Sequence, residues 1–199
     1  MGKVVVQASM SLDGYIADTS DGVGALFDWY GNGDVEFTGA DPDRVFHVSA
    51  VSADYLREAW GNAGVEVVGR RLFDLTNGWD GRPPVGDAVF VVTHEAPTDW
   101  DFPDAPFTFI TDGVRSAIEQ AKAAAGDKDV GVSAGNIGGQ ALEAGLVDEV
   151  RIDLVPVVFG SGVRYFGDDA GPPLLLGDPR IVQGDRVTHL CYQVRSLKP

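Results

Sequence analysis

Residues 130–139 read VGVSAGNIGG, and within them Gly131-Val132-Ser133-Ala134-Gly135 fits G-x-S-x-G. That pattern holds a nucleophilic serine on a strained turn between a strand and a helix. Acids follow at Asp148, Asp153 and Asp168, and a histidine at His189, which is the chain order Ser, Asp, His of that class of hydrolase. The same small residues suit a second chemistry, in which a turn lets a pyrophosphate come close and aims amide N–H groups at it from a helix start. Two observations weigh against acyl transfer. His189 lies in the alternating segment VTHLCYQV, where a histidine is more often a packed side chain than a base. No HGGG-type loop precedes the serine to supply oxyanion donors, usually the largest single contribution to such a reaction. A serine hydrolase using Ser133 therefore ranks second.

Gly69-Arg70-Arg71 stands directly behind the apolar run VEVV, where a helix start would offer an anion both cations and free N–H groups. In a chain with 15 basic and 30 acidic residues, net charge −15, an Arg-Arg pair stands out. Thr93 and His94 close another apolar run, and Ser133 to Gly135 a third. Ligands of open α/β sheets gather outside the carboxyl ends of strands, so these three ends read as one polyanion site. The negative global charge excludes nucleic acid and anionic membranes as partners. No G-x-G-x-x-G fingerprint or Walker loop occurs. His47, His94 and His189 are dispersed, and Cys191 is the only cysteine; neither a metal site nor an intrachain disulfide is expected, and the cytosol is the natural compartment. MGKVVVQASM has too short an apolar run for a secretory leader, and no stretch reaches the roughly 20 apolar residues that span a bilayer.

The elements that must position these residues are legible as short β-branched runs: KVVVQAS, VEVVG, AVFVVTH, FTFI, DVGVS, EVRIDLVPVVF and RIVQGDRVTHLCYQV. Between them, 112–125 repeats Val114, Ala117, Ile118 and Ala121 at helical spacing, with Asp112 as the expected cap and Gly126 as the stop. A second helix is expected over about 52–60, capped by Ser52, with Tyr55, Leu56 and Ala59 on one face; a third follows Gly135 and ends near Gly145. Alternating strands and helices imply crossover units and a largely parallel sheet covered on both faces, and the tail from 150 adds strands without helices between them. One α/β domain over 1–199 follows. The loop 76–87 is expected at the surface, and the long Gly/Asp-rich stretch 18–43 is expected to be the most mobile segment.

In this order SMSLDGYIA (9–17), VVGRRLFDLTNGW (67–79), VFVVTH (89–94) and ALEAGLVDEVRIDLVPVVFGSGVRYF (141–166) resemble the dihydrofolate-reductase superfamily, specifically the family of the reductase domain of bacterial riboflavin biosynthesis. The resemblance covers almost the whole chain. It implies a three-layer αβα fold around a mixed, mainly parallel sheet with antiparallel C-terminal strands. It also implies an NADPH-dependent reductase that transfers hydride to a small heterocyclic or ribosylaminopyrimidine-like substrate, and a homodimer. Residues matching Gly69, Arg70, Arg71, Thr93 and His94 would hold the adenine 2′-phosphate and pyrophosphate, and Ala8, Ser9, Leu12, Gly14 and Ile16 would surround the nicotinamide. Ser133, Ala134, Gly135, Asn136 and Ile137 open the short helix against the cofactor, and Ser133-Ala134 replace the family's usual double glycine. In dihydrofolate reductases proper a carboxylate shortly after a loop tryptophan helps deliver the proton; Asp34 after Trp29 matches that offset, which would put Trp29 in the substrate pocket. A nucleotide-binding protein without catalysis is the third reading, motivated by the replaced glycines.

Overall fold

The computed structural model of the protein describes residues 2–168 and 171–194. Its first strand, β1 (Val4–Ser11), begins with Val4, Val5 and Val6, all essentially without exposure, because a strand in the middle of a parallel sheet is covered on both faces. In chain order there follow β2 (Tyr15–Ala17), a 3-10 segment (Gly24–Gly31), β3 (Val35–Thr38), β4 (Val45–Val48), α1 (Ala50–Gly61), β5 (Ala63–Gly69), α2 (Arg70–Leu75), β6 (Ala88–Val92) and β7 (Phe107–Ile110). The second half adds α3 (Val114–Ala125), β8 (Asp129–Ser133), α4 (Asn136–Glu143), β9 (Glu149–Val155), β10 (Val163–Arg164), β11 (Arg180–Gln183) and β12 (Thr188–Gln193). Eight strands form one sheet in the order β11-β12-β9-β1-β8-β5-β6-β7. From β9 to β7 all neighbours are parallel, while β12 and β11 add antiparallel.

Alternation along the strands sends side chains to two different layers. On one face Val65, Val67, Val130, Val132 and Val150 pack against Val114, Ala117, Ile118 and Ala121 of α3 and Ala141 of α4. On the other, Val155, Val187 and Cys191 meet Leu26 and Trp29 of the 3-10 segment and Tyr55, Leu56 and Ala59 of α1. Phe73 of α2 packs there on Val68, Val89 and Val91. The layered α/β architecture read from the sequence is the one observed. Among the described residues no helix is long and apolar enough to cross a membrane.

Two capping expectations are corrected. Ser49, not Ser52, caps α1: its hydroxyl accepts the Ser52 N–H, which carries Ser52 into the first turn and beneath the helix. Asp112 caps nothing, because Gly113 occupies the cap position with φ 92 and Asp112 instead accepts from the Ser116 hydroxyl. The stretch 18–43 holds the 3-10 segment and β3, the first strand of the β3–β4 ribbon, and its apolar residues Trp29 and Phe37 are buried, as is Val48 of β4. Within 76–87 the backbone takes a left-handed turn through Asn77 (φ 50), Gly78 (φ 57), Trp79 (φ 48) and Asp80 (φ 54). L-residues resist that conformation, and Trp100 offsets the strain by donating its indole N–H to the Asn77 carbonyl while stacking edge-on to Phe73.

Candidate functional site

The crossover helices leave the sheet on opposite sides, α2 on one face and α4 on the other, so a crevice opens at the carboxyl ends of the strands between them. It is a cleft of about 1050 Å³. Ala8, Ser9, Ile16, Gly69, Arg70, Arg71, Thr93, His94, Ser133, Ala134, Gly135, Asn136 and Ile137 all line it. Residues from four separate runs of sequence thus share one wall. Sheet order arranges them in a row, with β1 ending in Ser9 and Ser11, β8 in Ser133, β5 in Gly69 and β6 just before Thr93.

At the β5–β6 end the arginines are already engaged. Arg70 donates through Nε to Asp74 Oδ1 at 2.7 Å and through Nη1 to the Glu95 carbonyl at 2.9 Å, with Thr93 Oγ1 3.5 Å away. Arg71 reaches across to Asp21 Oδ2 at 2.7 Å, and that carboxylate raises the guanidinium further above its ordinary pKa. Gly69 has no room for a side chain, since a Cβ there would lie 2.9 Å from Ile137 Cγ1; β5 and α4 can approach only because it is glycine.

Both glycines of the G-x-S-x-G pattern have reasons of their own. A Cβ on Gly131 would lie 2.0 Å from Glu66 Oε1, so this glycine makes room for a buried carboxyl. Gly135 caps α4 with φ 83 and donates its N–H to the Tyr165 carbonyl at 2.6 Å. Neither Ser133 nor Ala134 has positive φ, so both tolerate side chains without strain. Among the described residues no histidine hydrogen-bonds to Ser133, and the hydrolase constellation does not form around it.

The opposite end carries groups whose role the sequence left open. Asp153 of β9 faces Ser9 of β1 and His189 of β12 across the ladder. Its Oδ1 lies 2.6 Å from His189 Nδ1, and His189 Nε2 lies 3.0 Å from the Ser52 hydroxyl. A Ser-His-Asp chain therefore exists, but Ser52 is 1 % exposed and His189 fully buried, and no substrate reaches that serine. Tyr55 stacks on the imidazole at 4.0 Å and Trp29 meets its edge at 5.2 Å. Only the Asp153 end of the chain opens into the cleft, beside Phe27, Tyr30, Tyr55 and Trp60. Burial and then the Asp153 charge push the Tyr30 and Tyr55 hydroxyls well above their ordinary pKa. Gln7, also on the wall, donates to Glu66 Oε1 at 3.1 Å, and burial drives that carboxyl up to about 8 against the smaller pull of Gln7 and Arg151. The signal for Asp153 was present in EVRIDLV: Glu149, Arg151 and Asp153 alternate in an otherwise apolar strand, so three charges share one covered face.

Four expected positions lie off the cleft wall. Trp29 is 1 % exposed and sits in the core, its indole N–H donating to Ser9 Oγ at 3.1 Å, so it braces the wall from behind. Asp34 is exposed just before β3; a tight β3–β4 ribbon follows Trp29 instead of the helix that would return an acid to the site. Leu12 is 64 % exposed and Gly14 holds a turn at φ 92. That turn is fixed by Asp13, which accepts from the Ser11 hydroxyl and from the Phe159 and Gly160 amides, giving SLDGY a structural task.

Residues 2–190 match the family model described as the RibD C-terminal domain. No curated protein matches the chain. Among solved structures, a protein of Shewanella sp. PV-4 named for riboflavin biosynthesis is 22% identical over 98% of this chain and 99% of its own, with a TM-score of 0.70. A pyrimidine reductase-like protein of Corynebacterium diphtheriae is 16% identical over 98% and 92%, TM-score 0.62. A diaminohydroxyphosphoribosylaminopyrimidine deaminase/5-amino-6-(5-phosphoribosylamino)uracil reductase of Thermotoga maritima is 14% identical over 98% of this chain but 57% of its own, TM-score 0.61. The chain thus spans little more than half of that two-activity protein. At these identities the likeness speaks for the fold, a dihydrofolate-reductase-like α/β architecture.

Proposed function

Because the chain belongs to the RibD C-terminal domain family, we propose that it is an NADPH-dependent reductase of the riboflavin-pathway type, reducing a C=N or C=O carbon of a small heterocyclic substrate. The observation that carries this reading is the row of strand ends in one cleft, from Ser9 through Ser133 and Gly69 to Thr93. An extended dinucleotide fits such a trough: the cleft is at the large end for small-molecule sites. Arg70, Arg71 and Thr93 would hold the 2′-phosphate, and the first turn of α4, at Asn136 and Ile137, would face the pyrophosphate with free N–H groups and the positive end of its dipole. Ser9, Ala8 and Ile16 would bound the nicotinamide end. When bound, the cofactor supplies a hydride; the protein's part is to align donor and acceptor and to exclude water. We include a homodimer in this reading, with sedimentation as its test.

NADPH titrated against tryptophan fluorescence tests the assignment. NADPH is expected to bind much more tightly than NADH, and equal affinities would overturn the phosphate role of the arginines. A lost charged hydrogen-bonding partner costs about 1.5–3 kcal/mol, so Arg70→Ala should weaken NADPH roughly tenfold to a hundredfold, and NADH less.

A further inference from the structure

We propose that the Asp153 end of the cleft selects a planar nitrogen heterocycle that presents an N–H donor pair to this carboxylate and carries no phosphate, a substrate class that rests on reading the cleft as a reductase site. The argument begins with where the charges are. The charged side chains on the wall are Asp21, Glu95, Asp153 and Asp168 against Arg70, Arg71 and Arg164. Arg70 and Arg71 are each hydrogen-bonded to a carboxylate, Asp74 and Asp21, at 2.7 Å, while Arg164 has a looser 4.0 Å contact with the exposed Asp168. Arg70 follows β5 and pairs near the end of β6, so it lies three to four strand positions from β9, about 14–19 Å at the usual inter-strand spacing. A cofactor that takes the arginine end therefore leaves Asp153 as the charge facing the acceptor.

Two nearby cations do not change this. Arg151, two residues back on the same face of β9, is turned onto Glu149 at 2.5 Å and the Ala59 carbonyl at 3.2 Å, and does not line the cleft. Arg180 binds Glu58 and also lies off the wall. A phosphate brought against Asp153 would meet a carboxylate that no arginine hydrogen-bonds among the described residues, in a chain of net charge −15.

What the site does offer is complementary to an amino-substituted ring. His189 holds Asp153 through Oδ1, and His189 is itself locked between Ser52, Tyr55 and Trp29, so the carboxylate is fixed in direction. Among the described residues nothing hydrogen-bonds to Oδ2 of Asp153, whose side chain is 14 % exposed on the cleft wall. Tyr30, Tyr55 and Trp60 supply the aromatic surface on which a flat ring stacks. A carboxylate flanked by aromatic rings recognises paired N–H donors, or a protonated ring nitrogen beside an amino group, through charge-assisted hydrogen bonds.

Isothermal titration of the full chain, with and without NADPH, tests this with two probe pairs. The first is 2-aminoquinoline against quinoline, which lacks the donor fork. The second is 5-amino-6-ribosylaminouracil with and without its 5′-phosphate. We expect 2-aminoquinoline to bind at least about tenfold tighter than quinoline, Asp153→Asn to remove most of that margin with NADPH affinity held within about twofold, and the 5′-phosphate to add no affinity. The proposal is overturned if the margin is absent, if it survives in Asp153→Asn, or if the phosphate tightens binding by about tenfold or more. Should Asp153→Asn not fold, the wild-type comparison within the two pairs decides alone. A wild-type chain that fails to bind NADPH would overturn the cofactor reading instead, and the probe pairs would still report on Asp153.

Discussion

Asp21 illustrates how a single side chain sets the terms of cofactor entry. It holds Arg71 by a 2.7 Å ion pair across the mouth of the cleft, so a phosphate arriving at Arg71 must first compete with it. The pair is solvent-accessible on the arginine side, where such contacts are weak, and competition by a doubly charged phosphate is favourable. Asp21→Asn should therefore tighten NADPH binding by a few-fold without moving NADH, measured by the same fluorescence titration; an unchanged NADPH affinity would show that Arg71 does not meet the phosphate. The residues seen at this scale in the sequence were those with special backbone or charge requirements: Gly69, Gly135, Arg70, Arg71. The alternation in EVRIDLV marks Asp153 as a charge on a covered strand face, but nothing in a one-dimensional pattern says which acid a histidine 36 positions later will orient.

At the scale of elements, periodicity located the helices and capping chemistry misplaced their starts. Three serines or acids compete to begin α1 and α3, and the winner is set by where the preceding chain arrives. Ser49 sits with extended backbone, φ −62 and ψ 153, at the end of the β3–β4 ribbon, and therefore meets the Ser52 N–H. Ser49→Ala should cost the fold about 0.5–2 kcal/mol, whereas Asp112→Ala, with no cap to lose, should cost less than about 0.5 kcal/mol, both read from urea denaturation. A larger loss in Asp112→Ala than in Ser49→Ala would reverse the capping assignment. The ribbon itself was hidden because its four-residue strands are too short for alternation to register, the first of them inside a Gly/Asp-rich stretch. The left-handed turn at Asn77–Asp80 was hidden for another reason: it exists because Trp100, Phe73 and Phe107 form a cluster that holds it.

For the molecule as a whole, two glutamates on one sheet face couple the fold to pH in opposite senses. Glu66 stays protonated in the fold up to about 8, because burial outweighs the hydrogen bond from Gln7. An unfolded chain releases that proton above about 4.5, so stability falls by about 1.4 kcal/mol for each pH unit from there to about 8. Glu149 is held down at about 2 despite burial, by Lys3, Arg151 and Gln193. Its contribution is complete above the unfolded value and is lost as the pH drops through 4.5 toward 2. Self-repulsion in a chain of net charge −15 adds to the alkaline loss. Stability should therefore peak in mildly acidic solution near pH 5, and Glu66→Gln should flatten the limb between pH 5 and 8, as followed by thermal melts across pH 3–9. A slope unchanged in Glu66→Gln would place the proton elsewhere.

The layered α/β architecture, the parallel core strands and the strand ends that carry Gly69-Arg70-Arg71, Thr93 and Ser133-Ala134-Gly135 are legible in the chain's residues alone. Those features follow from local chemistry, namely apolar alternation, glycine conformation and the rule that ligands meet sheets at carboxyl ends. Tertiary structure alone decided that Trp29 lies behind the wall, that Asp34 is outside it, that Gly131 yields space to Glu66, and that Asp153 faces the cleft with His189 and Ser52 behind it. The physical reason is register: β1, β9 and β12 come from opposite ends of the chain, and only their pairing puts Ser9, Asp153 and His189 at one level of one face.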